Sequence, residues 1–386
     1  MPNYFYCLIK IMSNEILSFI EKLRIIHSKY DTVKRYINLE RLIDSLTDLN
    51  SLIEMYSVKM TIIRQIEMTL VHIIKVGNPV SEKHMMHSVF YGTPGVGKSR
   101  TALILANVWK ALGLLKRTPE SMLISEPKKS LEKMIQIRDD FITLYDTYSN
   151  PEKKDCKSMM EKCQKDWLSI RNRLIGMNLS TTSFVDNNII VCGREDLVAE
   201  YAGQTSVKTS KFLTGCLGKC LIIEEAYTLY LGDTDTYGME AITVLNRFMD
   251  EHADELMVIF TGYEDKLRDS IFKAQPGLQR RCIWFFHLQG YSAKGLCEIF
   301  IKQLKESNWS IKDTDYILDF FERNISKFPN FGGDTYRLVF QCRLFHSRKI
   351  IDSLSTEDII SEDIEYILDN EDIDNAYTEY LKHTGL

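Results

Sequence analysis

Apolar residues recur at two different periods along this chain, and the change of period marks its parts. Over residues 14–30, "NEILSFIEKLRIIHSKY", they return every three or four positions, as on one face of a helix. "LERLIDSLTDLNSLIEMY" (39–56) and "VKMTIIRQIEMTLVHIIKV" (58–76) repeat the pattern. The spacing predicts three helices, the last stopped by Gly77-Asn78-Pro79. The texture then shifts to short apolar runs. "HSVFYG", "NNIIVCG", "KCLIIE", "ELMVIFTG" and "CIWFFHL" read as strands, with helical stretches between them. This alternation predicts an α/β domain with a five-stranded, mainly parallel sheet covered on both faces. From Tyr291 the helical period returns in "SAKGLCEIFIKQLKES", "DTDYILDFFERNI" and "DTYRLVFQCRLFHSRKII", which predict a small all-α domain.

Two stretches stand outside this plan. Between Leu115 and Asn187 there is no strand signal, only two amphipathic runs joined by Ser149-Asn150-Pro151. They predict a helical hairpin inserted over about 116–186, lying in solvent or docking a partner. Its nearly balanced charges disfavour a DNA-binding arm. Residues 350–381 hold eleven Asp or Glu and no Lys or Arg. They predict a solvated acidic helix pair closing the all-α domain. The expected organisation is an N-terminal helical region (1–50), an α/β domain with the helical insertion (51–290) and an all-α domain with acidic C-terminal helices (291–386).

Composition narrows the function classes. A net charge of −5 gives no general reason to expect nucleic-acid binding. No stretch approaches the ~20 apolar residues that span a bilayer. "MPNYFYCLIKIM" is a brief apolar run broken by Lys10 with no basic residue before it, a poor secretory leader. Nine cysteines without a CxxC pair argue for buried free thiols in a reducing compartment, the cytoplasm.

One motif carries specific chemistry. "GTPGVGKS" fits G-x-x-x-x-G-K-[ST], after a strand and before a helix. Glycines let consecutive N–H groups turn toward one anion, and the helix adds its positive end. Gly92, Thr93, Pro94, Gly95, Val96, Gly97, Lys98, Ser99 and Arg100 are the candidate ATP cradle. Lys98 reaches the β- and γ-phosphates, and the Ser99 hydroxyl takes Mg²⁺. A second strand ending in acid belongs beside it, and "CLIIEE" supplies one. In such sites the first acid holds the metal's water shell and the second polarises the attacking water. Glu224 stands where Asp is usual, with Glu225 at the base position. A ligand acting through water tolerates a longer stem, so this pair favours a working ATPase over a non-hydrolysing scaffold.

Further blocks, in order, resemble the AAA+ ATPases of the red-type Rubisco activase (CbbX) and sporulation stage V protein K group. They run from Ile53 to Arg348, omitting the hairpin: "IEMYSVK", "REDLVAEYAGQTSVKT", "KCLIIEEAYTL", "YGMEAITVLNRFMDEHADELMVIFTGYED" and "QPGLQRR". The glycine-poor composition is similar to that of copies in large DNA viruses, which would make the compartment a host's cytoplasm. The resemblance implies a homo-oligomeric ring, a hexamer, with ATP and Mg²⁺ at subunit seams and a protein client. It implies that Ile53 and Met55 lie against adenine and that Arg281 reaches a neighbour's γ-phosphate, with Arg280 a second cation beside it. It makes Tyr201-Ala202-Gly203 a pore loop that grips an extended chain, Thr261 a γ-phosphate sensor and Arg337 the lid's second sensor. Arg337 falls one place off the family's arginine, about 100° round a helix. Arg343 or Arg348 are alternatives, as is a helix of solvated arginines. The implied function is an ATP-hydrolysing remodeller that threads protein clients. A nucleic-acid motor or a weakly hydrolysing scaffold are the competing readings.

Overall fold

The computed structural model describes residues 2–79, 86–115, 188–354 and 366–384, with side chains from Glu15 onward and none for Leu354. The expected hairpin lies outside these residues. Four helices lead in: α1 (Pro2–Lys29), α2 (Asp31–Tyr36), α3 (Leu39–Asn50) and α4 (Tyr56–Val76). Their periodic apolar positions, among them Ile16, Leu23, Leu42, Leu46, Ile62 and Ile66, are buried. Helix α4 stops as predicted, with Gly77 as a left-handed cap at φ 76°.

The helix predicted over 39–56 is cut short. Helix α3 ends at Asn50, and Glu54 and Met55 adopt left-handed φ values of 55° and 54°. Lys59 supplies the reason. Its Nζ reaches back from the first turn of α4 to the carbonyls of Asn50 (3.2 Å) and Leu52 (2.5 Å). These carbonyls close α3, which no side chain of the amphipathic pattern announces. Burial lowers the Lys59 ammonium to about 8.

The five expected strands are present: β1 (Ser88–Gly92), β2 (Ile189–Cys192), β3 (Cys220–Ile223), β4 (Met257–Gly262) and β5 (Trp284–Leu288), in the order β2-β3-β4-β1-β5. Strand β1 pairs in parallel with β4 and β5, and β3 with β4. Helix α5 (Lys98–Ala111) packs across β1, β3 and β4. Central strand residues Val89, Phe90, Leu221, Ile222, Val258 and Ile259 are all buried, as two-sided cover requires. Parallel pairing puts the C-terminal ends of β1, β3, β4 and β5 on one edge, where α/β sheets bind ligands.

The other helices described between the strands are α6 (Arg194–Leu197), α7 (Thr205–Gly215), α8 (Thr236–Glu251), α9 (Glu264–Leu267) and α10 (Pro276–Arg281). Beyond β5 come α11 (Ala293–Glu306), α12 (Thr314–Asn324), α13 (Gly332–Leu354) and α14 (Asn370–Thr384). They share a core built on Phe300, Phe321, Phe328 and Leu338. A parallel pair, β6 (Ser310–Ile311) with β7 (Ile367–Leu368), was not foreseen; two residues per strand leave no period to read. The six described cysteines from Cys192 to Cys342 are free and buried.

The acidic C-terminus departs from the solvated pair expected of it. Helix α14 buries Ile373, Ala376 and Tyr380. Asp372 is fully buried against His346 Nδ1 at 2.7 Å and Lys349 Nζ at 2.9 Å. Lys349 also reaches Asp369 (3.2 Å) and Glu371 (2.8 Å). One amine therefore collects three carboxylates, and the acid run is partly an attachment device. Lys349→Met should cost the lid roughly 2–3 kcal/mol, discounted for the amine's exposure. The check is urea unfolding with amide exchange along α14; unaltered protection there would contradict the assignment.

Candidate functional site

The loop after β1 is shaped by what lies against it. Gly95 and Gly97 have φ of 72° and 90°, conformations that L side chains rarely adopt. A Cβ on Gly92 would sit 2.3 Å from the Leu288 carbonyl oxygen, and one on Gly95 1.8 Å from that of Asn330. The loop's carbonyls are engaged: Gly95 O accepts from Gly332 N–H (3.3 Å), Val96 O from the Tyr291 hydroxyl (3.0 Å) and Gly97 O from Thr101 N–H (3.0 Å). Lys98 Nζ donates to Gly92 O (3.0 Å) and Thr93 O (2.9 Å) and lies 4.6 Å from the Tyr263 ring centroid. Burial lowers the Lys98 ammonium's pKa, and Glu225 opposes the shift. Ser99 and Arg100 are exposed at the start of α5.

A cleft of about 590 Å³ opens beside the loop, lined by Ile53, Met55, Lys59, Leu288, Tyr291 and Glu298 among others. The expected base-binding residues Ile53 and Met55 are thus together in a cavity. A Cβ on Gly97 would meet Met55 Cε at 3.7 Å and the Tyr291 hydroxyl at 3.8 Å, so loop and cleft adjoin. The carboxylate of Glu54 accepts from Ser292 N–H (3.2 Å) and from the Ser292 hydroxyl. Ser292 also caps α11. The segment lining the cleft is therefore tied to the first helix of the lid.

Glu224 and Glu225 follow β3 on the same edge. Glu224 N–H donates to Cys192 O at 3.0 Å, continuing the sheet by one residue. Glu225 is left-handed, φ 46°, and its Oε2 accepts from the Tyr227 hydroxyl two residues on. The Tyr227 and Tyr263 rings pack at 5.6 Å, with Lys266 Nζ 4.8 Å from each. Burial, then the bond to Glu225, raises the Tyr227 phenol well above its usual range. Thr261 is buried, its hydroxyl 3.4 Å from Ile223 O, so the expected sensor has a partner inside the sheet.

The arginines are dispersed. Arg281, at the end of α10, donates to Asn246 Oδ1 (2.7 Å) and Gly277 O (2.9 Å) and lies 3.6 Å from Asp250. Its side chain is 21% exposed, whereas Arg280 is exposed. Arg337 is 66% exposed, 3.9 Å from Asp334. Arg343 lies over the Trp309 ring at 5.6 Å, in the lid, and Arg348 is exposed.

Tyr201, Ala202 and Gly203 form an exposed tip, with Tyr201 67% accessible and Gly203 left-handed at φ 75°. The base of this loop is braced. Lys208 Nζ donates to Glu195 O (2.6 Å) and Val198 O (2.9 Å), and the Thr209 hydroxyl to Leu197 O (2.9 Å). Arg194, opening α6, forks onto Asp235 (2.6 and 2.8 Å) and donates to the Thr228 and Leu229 carbonyls. Asp235 also caps α8 through Gly238 N–H at 2.9 Å. Sequence reasoning missed the roles of Tyr227, Tyr263, Tyr291, Glu54 and Lys59. The first two stand in "EEAY" and "TGY", beside residues already singled out.

No family model matches the chain. It is 26% identical over 340 residues to a putative cfxQ-like protein of Acanthamoeba polyphaga mimivirus, covering 86% of this chain and 66% of that protein. It is 33% identical over 148 residues to the chloroplastic ribulose bisphosphate carboxylase/oxygenase activase of Cyanidioschyzon merolae, covering 38% and 50%. With Protein CbbX of Cereibacter sphaeroides it shares 35% over 125 residues, covering 32% and 40%. The chain thus spans less than two thirds of the length of these relatives. They bear out the resemblance to CbbX-like AAA+ proteins; none of the three speaks for the sporulation protein. Among the described residues no helix is long and apolar enough to cross a membrane.

The Arg194 fork lowers the Asp235 carboxyl to about 2 from 3.8. A lowered acid stabilises above its unfolded pKa, and that share is lost as pH falls through the folded one. Asp235→Asn should therefore cost on the order of 2 kcal/mol at pH 7 and little at pH 2. Urea titrations across this range check it; a pH-independent difference would disprove the pairing.

Proposed function

We propose that this chain hydrolyses ATP in a ring of like subunits and spends the cycle on remodelling a protein client through the Tyr201 loop, in the cytoplasm. The observation that carries the reading is convergence. Lys98 follows β1 and Glu225 follows β3, yet parallel pairing through β4 brings both to one edge of the sheet, where Tyr263 lies under the ammonium and packs on Tyr227, the hydrogen-bond partner of the carboxylate.

The chain's own groups suit each part of the reaction. Loop N–H groups and the start of α5 favour a triphosphate. Lys98 would exchange the Gly92 and Thr93 carbonyls for phosphate oxygens, and the cleft at Ile53 and Met55 would take the base. The donor set fits Mg²⁺: the exposed Ser99 hydroxyl and the half-buried Glu224 carboxylate are hard oxygen ligands. Bound there, Mg²⁺ supplies neutralisation of phosphate charge. Glu225 takes the proton of the attacking water. Arg281 stands on a short helix beside a partly exposed Asp250, and it would have to leave Asn246 and Gly277 to serve a neighbouring subunit. The exposed, braced Tyr201 loop suits contact with an extended chain. The CbbX-like relatives support this class of activity.

Glu225→Gln should keep ATP binding within a few-fold while lowering phosphate release by about 10²-fold or more. Equal release from wild type and variant would leave a nucleotide-gated scaffold instead. Tyr201→Ala should keep basal hydrolysis and lose client remodelling, read by unfolding of a tagged client. Remodelling that survives the change would exclude threading through this loop.

A further inference from the structure

We propose that Tyr227 is a positioning residue for hydrolysis: its phenol holds Oε2 of Glu225, leaving the second oxygen to face the attacking water. The inference rests on the reading of Glu225 as the base.

Glutamate reaches its carboxylate through three rotatable bonds, and fixing such a chain costs entropy of order 1–2 kcal/mol. A base must nonetheless be held in reach of the proton it takes. Among the described residues, the Tyr227 hydroxyl is the hydrogen-bond partner that the structure gives this carboxylate. Lys98, the nearby cation, spends its own bonds on the Gly92 and Thr93 carbonyls. The local chain is built for the contact. Glu225 takes a left-handed φ of 46°, costly for a residue with a Cβ, and the 3-10 turn 226–229 brings Tyr227 back over it.

Tyr227 is itself fixed. Its ring packs on Tyr263, Lys266 lies over both rings, and Lys98 lies over Tyr263. The aromatic pair therefore touches both charged groups of the site, Lys98 through Tyr263 and Glu225 through Tyr227. Burial and the adjoining carboxylate hold the phenol protonated, so it remains a donor.

The test uses the full chain with Tyr227→Phe beside Glu225→Gln. Phosphate release gives kcat and KM, a fluorescent ATP analogue gives Kd, and a melt gives Tm. Phenylalanine keeps the ring and removes the donor. Loss of one such bond in the transition state predicts kcat down about tenfold, with KM and Kd within about twofold. Ring packing alone would leave kcat where it was. Rates normalised to the analogue-binding fraction and taken below the melt keep the comparison valid if Tyr227→Phe is less stable. Tyr227→Phe at or above the wild-type rate, with Glu225→Gln inactive, overturns this inference alone; a faster variant would mean that the bond restrains Glu225. An active Glu225→Gln overturns the underlying reading and the inference with it.

Discussion

The loop Gly92–Gly97 is pinched between two backbones, and the nucleotide edge takes its positions from that pinch. The Leu288 carbonyl closes on Gly92 from β5, and the Asn330 carbonyl closes on Gly95 from the lid. No side chain fits at either point. With the carbonyls of Gly92, Thr93, Gly95, Val96 and Gly97 all accepting hydrogen bonds, the loop's donors are what remain for an anion. Sheet and lid are registered on one short segment, and the cleft lies where the two meet it.

Two further ties make the edge a unit. Glu54 joins the cleft-lining turn to the start of α11, and Tyr291 joins the same region to Val96. On the far side, Tyr227 and Tyr263 stand between the Lys98 ammonium and the Glu225 carboxylate. Glu224, one methylene longer than the usual aspartate, sits at the strand end with its N–H still in the sheet.

Much of this was legible because it is periodic or local. The five strands have continuous apolar runs, α4 has a glycine stop, and the phosphate motif lies within eight residues. What escaped depends on contacts remote in sequence or on single residues. The break at Asn50 comes from a lysine on the next helix, inside an unbroken amphipathic pattern. The pair β6 and β7 is two residues long and joins segments over fifty positions apart. The acidic run read as solvated because Lys349 and His346, which answer Asp372, lie just ahead of it. Arg281 was singled out by resemblance alone, and its bonds to Asn246 and Gly277 are tertiary facts that no motif encodes. Tyr227, two residues past Glu225, and Tyr263, two past Thr261, were in plain view; only their rings' proximity gives them roles.

The braced Tyr201 loop has a mechanical consequence. Tension on its tip does not run straight down the chain to β2. Lys208 and Thr209 divert it into α7, and Arg194 carries the remainder onto Asp235 and the head of α8. The same arginine grips the carbonyls of Thr228 and Leu229, three and four residues past Glu225. A load path along these bonds would therefore pass beside the Glu225 carboxylate, which the same turn holds through Tyr227.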